Sequence, residues 1–222
     1  MQIPRFYPIL DVATAQQREY AIVTAATEIL DAGARILQLR HKGFFSRDIF
    51  AAIEEISELC RRAGATLVIN DRADLVRMLV ESGTRVGVHL GQEDLSPADT
   101  RRVTGPGVLI GLSTHNESQL RAAVSEPVDY LAFGPIFGTS SKQNPDPVVG
   151  LDELRRLRPL VSKPLVAIGG ITRANALSVL EAGADSVAVI GDLFPTDGRI
   201  RDRVEEWLAL APGSWPRPLF PH

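Results

Sequence analysis

The sequence predicts a single-domain α/β protein folded as a closed (β/α)8 TIM barrel, and three observations carry that prediction. Short apolar runs rich in Val, Ile and Leu alternate with longer amphipathic stretches, the repeated strand-then-helix pattern of a parallel sheet. Eight such pairs fit between Tyr7 and Leu210, which favours closure over an open doubly wound sheet. No strand leads into GxGxxG or GxxxxGKS/T, so the usual nucleotide-binding versions of the open sheet lose support.

The strands are expected at Tyr7–Leu10, Arg35–Arg40, Thr66–Ile69, Val86–Leu90, Val108–Leu112, Tyr130–Phe133, Leu165–Ile168 and Ser186–Ile190. Between them apolar residues recur at helical spacing, as at Ile49, Ile53, Ile56 and Leu59. Gly33, Gly64, Gly83 and Gly183 each precede a strand, where glycine tolerates the left-handed conformation that ends a helix. Two stretches break the alternation. Gly134–Gly150, GPIFGTSSKQNPDPVVG, is long for a strand-to-helix connection, and following strand six it falls on the catalytic face, in the place of a lid. Beyond Ala211 the sequence PGSWPRPLFPH carries four prolines and cannot continue a final helix around Arg199–Leu210. A barrel of residues 1–210 and a tail of residues 211–222 are therefore expected.

Composition narrows the function classes. With 222 residues, 45% hydrophobic and 23% charged, the chain suffices for one globular core, which excludes disorder and fibre. Lys and Arg number 24 against 27 acidic residues, and the net charge of -3 gives no electrostatic reason to expect nucleic acid or a membrane surface as partner. An anionic ligand must then be met by local positive charge. The single cysteine, Cys60, cannot form an internal disulfide or a metal-binding pair, so a reducing cytoplasm is the expected location. No leader pattern opens the sequence, and no apolar run approaches the roughly 18 residues of a membrane span, so a soluble protein is expected.

Polar residues interrupt the strands at their C-terminal ends. In RILQLRHK, alternation sends Leu37 and Leu39 to one face and Ile36, Gln38 and Arg40 to the other, with Lys42 just beyond. If the leucines meet the helices, three aligned donors point into the barrel near its top. Strand three ends in Asn70, Asp71, Arg72 and Asp74, residue types equally at home in turns and caps. Strand four ends in His89, Gln92, Glu93 and Asp94, so Asp71 and Asp94 hang from adjacent strands at one mouth. Two carboxylates beside Arg and Lys make sense if Mg2+ lies between them and a polyphosphate, because Mg2+ usually takes one or two carboxylates and phosphate oxygens.

After strand five, Asn116 reads as a helix N-cap and leaves Ser113 or His115 to face a ligand, although His115 is as well explained by a capping role. The strand-six loop supplies Thr139, Ser140, Ser141 and Lys142, a set that suits either phosphate or a solvated loop. Strand seven runs into Gly169 and Gly170, and strand eight into Ile190 and Gly191. Glycine at these two places lets backbone N–H groups approach an anion, the arrangement barrels use for phosphate.

Six ordered motifs, QLRHK, INDRAD, GVHLGQED, GLSTH, GPIFGTSSK and IGGI, resemble the thiamine phosphate synthase family, also called thiamine-phosphate pyrophosphorylase. The resemblance spans roughly Tyr7 to Trp207. It implies a (β/α)8 barrel that joins hydroxymethylpyrimidine diphosphate to hydroxyethylthiazole phosphate, forming thiamine phosphate and releasing pyrophosphate. Carried over motif by motif, the segment Gln38, Leu39, Arg40, His41 and Lys42, with Asn70, would bind the pyrimidine diphosphate, and Asp71 and Asp94 would hold Mg2+. Ser113 would lie beside the pyrimidine and Lys142 on the diphosphate. Thr139, Ser140 and Ser141, with Gly170, Ile190 and Gly191, would receive the thiazole phosphate. Arg40, Lys42, Ser113 and Lys142 would carry the chemistry.

Four departures from the family pattern stand out. His41 replaces a usual acidic residue, Gly138 a common proline and Gly191 a usual serine, and the stretch from Asp71 to His89 is longer than usual. Two other functions compete. A related thiazole tautomerase would use His115 as general acid or base and would need no metal-bound diphosphate. A non-catalytic paralogue would only capture phosphates. The retained Lys42, Asp71, Asp94 and GPIF argue against the tautomerase, and the complete metal and cation set argues against the paralogue.

Overall fold

A computed structural model of the chain describes residues 3–138, 146–196 and 199–211. Eight parallel strands close into a barrel in sequence order: β1 (Phe6–Asp11), β2 (Ile36–Arg40), β3 (Thr66–Asn70), β4 (Arg85–Leu90), β5 (Leu109–Thr114), β6 (Tyr130–Phe133), β7 (Leu165–Ile168) and β8 (Ser186–Val189). Closure is made by β1 on β8, with Tyr7 opposite Ala188. Around the barrel lie α1 (Val12–Gln17), α2 (Ile22–Asp31), α3 (Arg47–Ala63), α4 (Ala73–Leu79), α5 (Pro97–Thr104), α6 (Glu117–Val124), α7 (Gly150–Leu157), α8 (Ala176–Glu181) and α9 (Ile200–Leu210). The expected strands are all present, with no end moved by more than two residues.

Local signals account for the helix boundaries. Ser46 caps α3 by accepting from the Ile49 N–H at 3.3 Å, Arg61 and Arg62 lie in its last turn, and Gly64 ends it at φ 64°. The extended stretch after Asp71 holds the short α4 and a 3-10 turn at Val80–Ser82.

Strand alternation sorts the core into two layers. Leu37, Leu39, Leu67, Ile69 and Val88 face outward and pack with helix residues such as Ile53, Ile56 and Trp207, whose ring stacks on Phe6 at 5.2 Å. Each side chain of this size contributes about 1.5–3 kcal/mol when fully buried. Inside the barrel, Tyr7, Ile9, Ile36, Val68, Leu109 and Tyr130 form a second cluster. Tyr130 reaches across the interior because β5 carries Gly111 beside it. A Cβ at residue 111 would stand 2.1 Å from the Tyr130 Cζ, so any side chain there would expel the ring.

β5 runs two residues further than its apolar run suggests, to Thr114. The Thr114 hydroxyl donates to the Ala132 carbonyl at 2.8 Å and its backbone carbonyl accepts from Gly134, which keeps the polar end of β5 in register with β6. Ser113 is thereby a strand residue with a fixed direction.

Candidate active site

The C-terminal ends of β1 to β5 build one half of the mouth. On β2, Gln38 is buried and Arg40 half-buried, both on the interior face. Leu39 faces outward into the layer under the helices, so of the QLRHK segment it can offer a ligand only its backbone. Arg40 donates from Nη1 to Asp11 Oδ2 at 2.5 Å, and these residues are register partners on β1 and β2. The Asp11 carboxylate also caps α1, accepting from the Thr14 N–H at 2.8 Å and the Thr14 hydroxyl at 2.7 Å. Arg40 is thus anchored by a carboxylate that is itself fixed.

Lys42 stands at the rim and donates to Asp71 Oδ2 at 2.5 Å. His41 bonds within its own loop: its Nε2 donates to the Phe44 carbonyl at 3.0 Å and its ring meets Phe45 edge-on, so it shapes the loop into α3. Arg72 likewise braces that loop, pairing with Asp74 and stacking 4.4 Å over the Phe45 ring.

Asn70 and Asp71 end β3 in an informative way. Asn70 is 6% exposed, and its Nδ2 has no hydrogen-bond partner among the described residues. A buried amide donor of this kind costs free energy unless a ligand accepts from it. Asp71 has φ 66°, a left-handed conformation that costs most side chains roughly 1–2 kcal/mol and that Asp tolerates better than most. Its N–H donates to the His89 carbonyl at 2.8 Å, which holds the turn in place. Burial pushes the Asp71 carboxyl above the ordinary carboxylate value; the Lys42 ammonium pulls it down, and the neighbouring Asp94 pushes it up again. Asp94 is fixed by the Gly91 N–H, 2.6 Å from its Oδ2.

The Asp71 and Asp94 pair fits a divalent cation of one kind. No group of three or more His, Cys, Asp or Glu able to hold a metal ion occurs among the described residues, so an all-protein cage is not built here. Two neighbouring carboxylates, Asp94 raising the proton affinity of Asp71, are a donor set of the kind Mg2+ accepts together with phosphate oxygens and water.

The other half of the mouth is a cavity of about 460 Å3 at the ends of β5 to β8. Gly170 and Gly191 line it, and so do Thr172 and Ile190. At Gly170, φ is 62° and a Cβ would fall 2.5 Å from the Gly138 carbonyl oxygen, so only glycine allows the close approach of these two segments at the cavity. Gly191 opens a 3-10 turn, Gly191–Leu193. His115 borders this cavity; its Nδ1 donates to the Gly134 carbonyl at 2.7 Å and lies 3.4 Å from Asp146. Asn116 caps α6, accepting from the Gln119 N–H at 3.0 Å as its sequence position suggests. Thr139, Ser140, Ser141 and Lys142 lie outside the described residues.

The family model described as thiamine monophosphate synthase matches residues 6–193. The chain belongs to the thiamine monophosphate synthase family. A thiamine-phosphate synthase from Koribacter versatilis is 48% identical over 212 residues, covering 95% of this chain and 97% of its own. One from Chloroflexus aurantiacus is 40% identical over 193 residues, covering 87% and 86%. The solved thiamine phosphate pyrophosphorylase from Pyrococcus furiosus superposes with a TM-score of 0.79 at 29% identity, covering 93% and 95%. The family thus supports a transferase, and neither the tautomerase nor the non-catalytic paralogue finds support. Among the described residues, no helix is long and apolar enough to cross a membrane.

Sequence reasoning missed three parts of this synthase-family site. Asp11 was hidden at the end of an apolar strand, FYPILD, where a lone acid gives no signal of its partner. Tyr7 and Tyr130 begin apolar strand runs that give no sign of a polar contact between them. Arg18, just after α1, borders the cavity, and nothing in its local sequence distinguishes it from a surface arginine.

Proposed function

We propose that this family member condenses hydroxymethylpyrimidine diphosphate with hydroxyethylthiazole phosphate, giving thiamine phosphate and pyrophosphate, with Mg2+ as cofactor. The observation that carries the proposal is the meeting of Arg40 and Lys42 with Asp71 and Asp94 at one mouth, a charge set that makes sense around a metal-bound diphosphate. Gln38, Asn70 and Ser113 bind the pyrimidine half, and the unpartnered Asn70 amide supplies a donor to it. In the free protein Lys42 pairs with Asp71; when the diphosphate binds, Lys42 turns to a phosphate oxygen, and Asp71 with Asp94 would hold Mg2+. Mg2+, when bound by Asp71 and Asp94, neutralises charge on the departing pyrophosphate.

The chain's own residues perform the remainder. Arg40, with one nitrogen fixed by Asp11, and Lys42 stabilise the leaving negative charge in place, an electrostatic rather than a covalent contribution. Lys142 is assigned the same task. The C–O bond to pyrophosphate breaks, the aminopyrimidine ring stabilises the cation left at its methylene carbon, and the thiazole nitrogen lone pair forms the new C–N bond. No side-chain nucleophile is needed. The bare backbone at Gly170 and Gly191 takes the thiazole phosphate, with Ile190 beside it and Thr139, Ser140 and Ser141 assigned to the same group.

Mixing the purified protein with both substrates and Mg2+ tests the reading. Thiamine phosphate and pyrophosphate should appear in equal amounts and only when all three are present. Binding of both substrates without product would overturn it.

A further inference from the structure

Five polar side chains cross the barrel interior in contact with one another. Gln38 Nε2 lies 3.0 Å from the Tyr7 hydroxyl, which lies 2.8 Å from the Tyr130 hydroxyl. The Tyr130 hydroxyl lies 2.9 Å from His89 Nδ1, and His89 Nε2 lies 2.9 Å from Ser113 Oγ. Register explains the gathering: His89 on β4 stands opposite Gly111 on β5, and the missing side chain at 111 admits the Tyr130 ring, which stacks on the imidazole at 5.6 Å. Both tyrosines are fully buried, and burial pushes their hydroxyls well above the ordinary tyrosine value, so each keeps its proton and remains a donor.

The donor and acceptor count fixes a direction. The Gln38 amide N–H can only donate, so the Tyr7 oxygen accepts from it. The Tyr7 O–H then needs an acceptor, and the Tyr130 oxygen is within reach; if Tyr130 donated to Tyr7 instead, the Tyr7 proton would be buried beside two donors. Tyr130 therefore donates onward to His89 Nδ1. That nitrogen must carry a lone pair, which leaves the proton on Nε2, and Nε2–H donates to Ser113. With its oxygen accepting from His89, the Ser113 hydroxyl proton is the one left over.

We propose that Gln38, Tyr7, Tyr130, His89 and Ser113 form a one-way hydrogen-bond chain that fixes His89 as the Nε2–H tautomer and leaves the Ser113 hydroxyl donating into the mouth. His89 is then a positioning residue: without it Ser113 is free to turn and to present a lone pair. The occupant this polarity selects is a flat ring with an acceptor nitrogen, and a ring presenting N–H at that position is disfavoured. That step rests on the reading that Ser113 faces the pyrimidine. The chain itself rests only on the interior geometry.

Nitrogen-15 spectra of the unliganded protein with labelled histidine test the chain directly, His89 being assigned by the signal lost in His89→Gln. The expected result is a protonated Nε2 and an unprotonated Nδ1. Tyr130→Phe, which removes the donor to Nδ1, should abolish that bias. In kinetics, His89→Phe should lower kcat/KM for the pyrimidine diphosphate by about tenfold, with KM for the thiazole phosphate within about twofold of wild type. His89→Gln, whose amide can still donate toward Ser113, should recover most of the loss. A wild-type His89 protonated on Nδ1 overturns the chain, and so does a Tyr130→Phe protein with unchanged His89 signals. Equal losses in His89→Phe and His89→Gln overturn the positioning role. Absence of synthase turnover in the wild-type protein counts against the proposed function alone, because the tautomer is read without substrate.

Discussion

Asp11 and Arg40 sit opposite each other at the ends of adjacent strands, and their side chains meet at 2.5 Å on the inner wall of the barrel. The carboxylate is 4% exposed and the guanidinium 15%, so the pair is screened by little water. Because Asp11 also caps α1, the helix and the arginine share one anchor. This couples a structural contact to the proposed binding one.

Removing the cation should therefore cost binding, and loosening the anchor should cost less. Arg40→Ala and Lys42→Ala should each weaken pyrimidine diphosphate binding or departure by about 1.5–3 kcal/mol, the worth of a charge-assisted contact. Asp11→Asn keeps an oxygen for Thr14 but gives up the ion pair, so it should raise KM for the same substrate by a smaller factor. Lys163, which donates to the Glu126 carbonyl at the opposite end of the barrel, provides the control, and Lys163→Ala should leave kinetics unchanged. Equal effects from Arg40, Lys42 and Lys163 variants would contradict the placement of the diphosphate.

The proposed metal dependence is tested at the Asp71 and Asp94 pair. Excess chelator should abolish coupling, and Asp71→Asn should reduce turnover far more than stability. The Lys42 ammonium is 55% exposed, and such a pair contributes at most about 1 kcal/mol to folding. Turnover and melting temperature measured on one preparation separate the two effects; full activity in chelator would remove the metal from the assignment.

Much of this was legible in the sequence because the barrel repeats one rule. Alternation within RILQLR places Gln38 and Arg40 inside and Leu37 and Leu39 outside, and the structure places them so. Glycines at 33, 64 and 183 carry positive φ where helices end. What periodicity does not carry is which interior side chains touch across the barrel. Tyr7 and Tyr130 are 123 residues apart, and their contact depends on strand stagger and on the space left by Gly111. Nor does a motif reveal that His41 bonds to its own loop, since that depends on the turn into α3 rather than on the strand.

Cys60 gives a pH-dependent prediction outside the site. It is fully buried on the inner face of α3, and burial pushes its thiol from 9.0 up to about 12. Native protein at pH 8 should resist alkylation that denatured protein undergoes readily. Because the folded state disfavours the thiolate, the unfolded chain loses this proton first as pH rises. Stability from this group is therefore intact below pH 9 and declines between pH 9 and about 12. Denaturant titrations at pH 8 and pH 10 should show a steeper decline for wild type than for Cys60→Ala. Parallel declines would show that the thiol titrates normally in the fold.

Gly191 yields the last prediction, because two explanations of a glycine there differ in conformation. Had the turn after β8 required positive φ, a serine would strain it. Gly191 instead opens a right-handed 3-10 turn, a conformation that L side chains adopt. Gly191→Ser should then fold with an unchanged melting temperature. Its hydroxyl would add one donor beside the backbone N–H facing the cavity, and a hydrogen bond to a charged group is worth about 1.5–3 kcal/mol before water replaces part of it. The expected outcome is an apparent KM for thiazole phosphate lowered by up to roughly tenfold, with KM for the pyrimidine diphosphate nearly unchanged. A variant that folds normally and shows no change in thiazole phosphate KM removes Gly191 from the phosphate site. A lowered melting temperature would show instead that the turn, and not the ligand, selects glycine.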